Sequence, residues 1–124
     1  MNTLPDLLSF IVTTLQAWPM CRGVQVVETA LFSPRQFAFK VRAELVTGGT
    51  LDTRLYCNGE HTDYAYHLAC GEQSVRWDNK EHFPSIPSHP HHFHTASGQV
   101  EASPLTGDPA HDLPLVLDYL TNRR

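Results

Sequence analysis

The sequence predicts an α+β fold: an N-terminal helix packed on a five-stranded antiparallel β-meander, then a His-rich loop segment and a short C-terminal helix. Three observations predict it. Apolar residues recur at helical spacing in residues 1–19. From Gly23 to Asp78 the period changes to two, with short turns between runs. After Asp78 the regular pattern stops until a last apolar stripe near the C-terminus. The chain has 124 residues, 41% of them hydrophobic and 18% charged, which suits one domain, 1–124, with its own core.

Residues 1–19 read as a helix because Leu4, Leu7, Leu8, Ile11, Leu15 and Trp18 form one stripe. Thr3 and Asp6 resemble a capping box with aspartate in place of Glu or Gln. Pro5 falls in the first turn, where no amide donor is needed, and Pro19 ends the helix. The sheet covers 23–78. Val24 to Phe32 forms a β-rich first strand ended by Ser33-Pro34. Phe37, Phe39, Val41, Ala43 and Leu45 then alternate with Ala38, Lys40, Arg42, Glu44 and Val46. Leu51, Thr53, Leu55 and Cys57 alternate with Asp52, Arg54, Tyr56 and Asn58. A three-residue loop, Thr47-Gly48-Gly49, joins these runs without mixing their faces. It pairs Val41 with Leu55 and Lys40 with Tyr56, and puts Gly49 in a left-handed bulge position. Tyr64, Tyr66, Leu68 and Cys70, then Val75 and Trp77, continue the apolar face through two further strands.

Residues 79–111 hold six of the eight histidines and five of the nine prolines. So long an irregular stretch in a compact domain is functional or disordered. Phe83 and Phe93 are placed to pin it across the other face of the sheet. Residues 112–122 form the last helix, with Asp112 as cap, Pro114 in the first turn, and Leu113, Val116, Leu117 and Leu120 on one side.

No run reaches the ~18 apolar residues of a membrane span, and the N-terminus lacks the basic start of a secretory signal. The protein is therefore expected to be soluble and cytoplasmic. Three widely spaced cysteines, Cys21, Cys57 and Cys70, make neither a disulfide framework nor a zinc motif, and read as buried thiols. The net charge of −4 with neutral histidine argues against non-specific nucleic-acid binding by the whole surface. Eight histidines make that surface change sign near pH ~6.5.

Alternation puts Lys40, Arg42, Arg54, Tyr56, His67, Arg76 and Asp78 on the non-core face. The expected register sets Arg42 opposite Arg54 and Glu44 opposite Asp52. Like charges held together point to an anionic ligand for the basic pair; the competing reading is a solvated face of loose charges. A second constellation runs Trp77-Asp78-Asn79-Lys80-Glu81-His82, then Ser88-His89-Pro90-His91-His92-Phe93-His94. Imidazoles of opposite protonation state can take a proton from a nucleophile and give one to a leaving group near neutral pH. With Arg or Lys on the phosphate, that suffices for metal-free RNA cleavage through the 2′-hydroxyl. The alternative use is a metal site for zinc, nickel or copper at His89, His91, His92 and His94, although the spacing matches no closed zinc pattern.

The ordered pieces Tyr64-Ala65-Tyr66-His67, Arg76-Trp77-Asp78-Asn79 and Pro90-His91-His92-Phe93-His94, with the Leu/Val-rich C-terminal helix, resemble the TumE-type toxin family over about residues 37–120. Members usually carry Ala-Pro-His-His after the Asp-Asn pair. Here Lys80-Glu81-His82-Phe83 stands there, so Phe83 replaces the second histidine. The resemblance implies a small bacterial toxin encoded beside a helix-turn-helix antitoxin. It carries over His67, Arg76, Asp78, Asn79, His82, His91, His92 and His94. The order of helix and meander is also similar to the ribonuclease architecture of RelE-like and barnase-like toxins, an analogy of fold alone.

The resulting expectation is the toxin of a toxin–antitoxin pair, acting on RNA as a metal-independent endoribonuclease with no cofactor. His67 and one of His91, His92 or His94 serve as base and acid, His92 being preferred, and Asp78 orients a histidine. Lys40, Arg42, Arg54, Tyr56, Arg76, Asn79 and His82 hold substrate. An antitoxin and RNA are the partners, no membrane is involved, and a homodimer is left open. The alternative is a non-catalytic metal-binding or protein-interaction domain.

Overall fold

The structure, a computed structural model, describes residues 3–123. Helix α1 (Leu4–Ala17) begins at an extended Thr3 whose hydroxyl accepts from the Asp6 amide at 3.3 Å, as the capping pair predicts. The first two residues of the expected helix lie outside the described ones. Leu7, Ile11 and Leu15 are buried, and Trp18 closes the helix. The Trp18 indole N–H donates to Thr121 Oγ1 at 2.9 Å, tying the end of α1 to the C-terminal helix.

Seven strands form one antiparallel sheet in chain order: β1 (Cys21–Ser33), β2 (Gln36–Leu45), β3 (Thr50–Asn58), β4 (His61–Cys70), β5 (Gln73–Asp78), β6 (His92–His94) and β7 (Val100–Ala102). The five-stranded expectation is corrected to seven, because two strands arise inside the 79–111 stretch. Each has only three residues, below the length at which alternation is visible. His92-Phe93-His94 nevertheless behaves as a strand should: Phe93 enters the core and the two histidines face the other way.

The last helix, α2 (Pro109–Asn122), also starts earlier than position 112. Asp108 is its N-cap and accepts from the Ala110 amide at 3.1 Å, with Pro109 in the first turn. Pro114 therefore lies inside the helix rather than in its first turn. Asp112 is fully buried in that turn and accepts from the Thr106 and Gly107 amides at 2.9 and 2.7 Å, so it holds the incoming loop instead of capping. The apolar stripe Leu113, Val116, Leu117 and Leu120 is buried as expected.

Both helices cover the same face. Tyr119 of α2 stands edge-on to Trp77 and Phe93, each at 5.2 Å. Leu7, Ile11 and Leu15 of α1 share one core with Phe37, Phe39, Val41, Leu55, Tyr66 and Leu113. Each fully buried side chain of this kind contributes about 1.5–3 kcal/mol. Among the described residues no helix is long and apolar enough to cross a membrane.

The β2–β3 hairpin has a three-residue loop, but it is Val46-Thr47-Gly48, closed by a Leu45 amide bond to the Gly49 carbonyl at 3.1 Å. The register moves by two: Val41 faces Thr53, Lys40 faces Arg54, and Arg42 faces Asp52. An even shift keeps every side chain on its face and changes its partner. Gly49 has φ +88° as expected, and a Cβ there would lie 2.5 Å from the Ala69 carbonyl oxygen, so the approach of β4 also demands glycine.

Candidate active site

The register assembles two rows across the polar face. One runs Gln25, Arg42, Asp52, His67, Arg76, His94, Val100 over all seven strands. The next runs Glu28, Lys40, Arg54, Ala65, Asp78, His92, Ala102. The expected polar-face residues are all present. The like-charge opposition of Arg42 with Arg54 is absent. Arg42 donates to Asp52 Oδ1 and Oδ2 at 2.8 and 3.1 Å, and Lys40 reaches the same carboxylate at 3.5 Å. Arg54 pairs with Glu28 at 3.4 Å in an exposed position, and the Tyr56 hydroxyl accepts from Gln36 Nε2 at 2.8 Å. Their opposition therefore gives no ground for an anion at this end. Lys40 and Arg54 do face one another, but each has its own acid.

The β5–β6 end is built differently. Asp78 is buried, accepts two hydrogen bonds and has two histidines beside it. Arg76 Nε donates to Oδ2 at 2.8 Å, and the Lys80 amide to Oδ1 at 3.0 Å. His92 Nε2 lies 3.0 Å from Oδ1, and His94 Nε2 lies 3.7 Å from Oδ2. Burial pushes the Asp78 carboxyl up. The Arg76 and Lys80 bonds, with the charges of His92 and Arg76, hold it below the usual carboxylate range all the same. The other nitrogen of His92 lies 3.0 Å from the Pro90 carbonyl. The Pro90 carbonyl accepts from Nδ1–H, which fixes the ring and turns Nε2 toward Asp78. The rings of His92 and His94 are 4.8 Å apart, and Phe83 leans edge-on against both, at 4.8 and 5.8 Å. The 79–91 segment thus returns over the polar face, pinned by Phe83, while Phe93 is held in the core.

His92, the preferred catalytic histidine, is 2% exposed and fully engaged; His94 keeps a third of its side chain open. Burial and the charges of His92 and Arg76 lower the His94 imidazole below its ordinary value, against the opposing pull of Asp78. His67 stands two strands from His94 with Arg76 between them, and its Nε2 lies 2.8 Å from Ser74 Oγ. Burial first, then Arg76 and Lys40, lower its imidazole too, with Asp52 opposing.

His91 points to the other side, as its place beside Phe93 predicts. Its Nδ1 lies 2.8 Å from the Tyr64 hydroxyl, and the rings stack at 5.8 Å. Burial, with the charges of Asp112 and Asp78, raises the Tyr64 phenol well above its usual range, so the hydroxyl is the donor. His91 borders a cleft of about 790 Å³ lined also by Arg35, His61, Thr62, Asn79 and Gly107. Asn79 accepts from the Tyr64 amide at 3.0 Å and donates to the Thr62 carbonyl at 2.8 Å, so it clamps β4 to the end of β5. His82 and His89 are exposed. The ligand set His89, His91, His92 and His94 is accordingly not brought together. Asp78, His92 and His94 are, with donor atoms all within 4.8 Å of one another.

Sequence reasoning missed three contributors: Ser74, the Pro90 carbonyl and the Lys80 amide. The last two are backbone groups that no residue type announces. Tyr64 was visible only as a core alternant.

The family model described as Toxin TumE matches residues 14–124. No curated protein and no solved structure matches the chain. The motif pieces that suggested the resemblance, Tyr64 to His67, Arg76 to Asn79 and Pro90 to His94, all fall inside the matched span and meet around β4, β5 and β6. The chain belongs to the TumE toxin family.

Proposed function

We propose that this toxin acts on RNA as a metal-independent endoribonuclease, in the cytoplasm and under the control of an antitoxin of helix-turn-helix type. The observation that carries the reading is the run His67, Arg76, His94 on adjacent strands of one solvent-facing row. Two strand spacings, roughly 10 Å, separate the backbones of the two histidines. Imidazoles can thus approach a phosphodiester from either side while the guanidinium between them takes its charge. Burial, Arg76 and Lys40 disfavour the protonated form of His67 against the pull of Asp52, which suits the base that takes the 2′-hydroxyl proton. His94 faces Asp78, which favours its protonated form over what burial alone would allow. That suits the acid that protonates the leaving 5′-oxygen. Asp78 and His92 are positioning residues that fix Arg76 and His94 from behind.

Expression of the chain alone should slow bacterial growth and degrade RNA, and co-expression of its antitoxin should relieve both. His67→Ala and His94→Ala should each lower cleavage by ~10²–10⁴-fold with unchanged circular dichroism, and EDTA should not lower it. If both folded variants stay fully toxic, the reading is wrong.

A further inference from the structure

We propose that Asp78, His92 and His94 form a binding site for one zinc-class divalent cation, and that the cation switches the active site off. The second half rests on the ribonuclease reading above; the first does not. The donor atoms are one carboxylate oxygen and one ring nitrogen of each imidazole. Ligands of a tetrahedral zinc ion sit about 2.0–2.2 Å from the metal and hence roughly 3.3 Å from one another. His92 Nε2 lies 3.0 Å from Asp78 Oδ1 and His94 Nε2 3.7 Å from Oδ2, and all three donor atoms lie within 4.8 Å of one another, so small side-chain rotations bring them to that spacing.

The supports behind the donors are of the right kind. A metal-bound histidine characteristically gives its other N–H to a carbonyl or carboxylate, which fixes tautomer and ring angle. His92 Nδ1 does this with the Pro90 carbonyl. Arg76 and the Lys80 amide hold Asp78, and Phe83 shields both rings. Imidazole nitrogen selects zinc, nickel or copper over magnesium or calcium. Three protein ligands leave the fourth position to water. On binding, His92 Nε2 offers its lone pair to the metal while the Nδ1 bond to Pro90 is kept. His94 gives its lone pair to the metal and can no longer carry a proton to a leaving group. The cation is thus an inhibitor and not a cofactor.

The test titrates ZnCl₂ into tag-free, chelator-treated full-length chain by calorimetry, with CoCl₂ as a spectroscopic probe. One zinc per chain is expected, with affinity lowered at least ~10-fold in His94→Ala and Asp78→Asn and unchanged in His89→Ala. Cobalt should give ligand-field bands without thiolate charge transfer. Zinc should raise the melting temperature of the wild type and leave that of His94→Ala unmoved. Absence of saturable binding, equal binding by wild type and both ligand variants, or thiolate bands from Cys21, Cys57 or Cys70 would overturn the site. Saturating zinc should also lower RNA cleavage at least ~10-fold, as loss of a general acid does; cleavage unaffected or raised by zinc overturns the switch. A chain that binds zinc as stated but cleaves no RNA in its absence overturns the ribonuclease reading and leaves the metal site standing.

Discussion

The polar face carries two carboxylates, each gripped by an arginine on the same side of the sheet, and they differ in everything around that grip. Asp52 on β3 meets Arg42 and Lys40, fixed cations that stay charged at any physiological pH. Asp78 on β5 meets Arg76 and two histidines, one buried and one open. The side chain of Asp52 is 19% exposed, that of Asp78 only 4%. The first arrangement is an ion-pair ladder of two fixed cations on one carboxylate, whose protons do not move. The second is a desolvated carboxylate with exchangeable protons around it. An Arg–Asp pair becomes a candidate site through the titratable partners and the burial added to it, not through the pair itself.

The comparison breaks most visibly in stability. Removing one member of a buried charged cluster leaves the others desolvated and unpaired, at about 3–5 kcal/mol. An exposed pair contributes about 1 kcal/mol or less. Asp78→Ala should therefore lower the unfolding free energy by about 3–5 kcal/mol and Asp52→Ala by about 1 kcal/mol or less, read from urea denaturation. Equal losses would mean that the two ends are energetically alike and that the burial of Asp78 is not what sets it apart.

How much of this was legible in the sequence follows from the same contrast. A strand has a side-chain period of two, so alternation assigns faces securely. Lys40, Arg42, Arg54, Tyr56, His67, Arg76 and Asp78 are all on the expected side. Period two is indifferent to an even shift, so the partners were misjudged. Arg42 was set against Arg54 where the structure sets it against Asp52. The observed register sets Gly49 against Ala69 of the next strand, where a Cβ has no room, a contact that the spacing of the β2–β3 runs does not show. The cluster at Asp78 was half visible. The alternation of His92-Phe93-His94 placed both histidines on one side. The pairing of that tripeptide with β5 was hidden, because a strand of three residues leaves no mark longer than itself. Burial of His92 was hidden for a related reason: it depends on Phe83 and the returning 79–91 segment, which have no periodic pattern.

A second effect, smaller at any one site, lies in pH. His67, His91 and His94 are held below the ordinary imidazole range, each chiefly by burial. Their protonation is thus easier in the unfolded chain. The stability they contribute is complete above about pH 6.5 and is lost as pH falls through the lowered folded values. Asp52 and Asp78 run the other way in origin: their carboxyls are depressed, so their contribution persists above about pH 4 and disappears only below it. Urea midpoints should fall between about pH 7.5 and about pH 5.5, and the fall should shrink in His94→Ala. Cleavage should instead show a bell centred below about pH 6.5. Its acid limb belongs to the base His67 and its alkaline limb to the acid His94, both of which titrate low. A stability profile flat over that range would show that these imidazoles do not titrate lower in the folded chain than in the unfolded one.

The smallest expected effect joins the two ends. Asp52, His67 and Arg76 are consecutive members of one row, so His67 has the carboxylate of the first arrangement on one side and the guanidinium of the second on the other. Asp52 favours the imidazolium and Arg76 disfavours it, with Arg76 the stronger influence and burial stronger than either. Asp52→Asn removes the favourable neighbour without changing the shape of the side chain, and it also frees Lys40 and Arg42 from their shared acid. Both consequences push the His67 imidazole lower still. Arg76→Gln removes the unfavourable neighbour and should push it up. Proton titration of the His67 ring by NMR reads both shifts directly, and their signs must be opposite. Because the acid limb of the cleavage profile is assigned to His67, Asp52→Asn should move that limb to lower pH with little change in the maximal rate. A limb that stays put while the His67 resonance shifts would separate His67 from the proton-transfer step. Shifts of the same sign in the two variants would show that His67 is tuned by something other than its row.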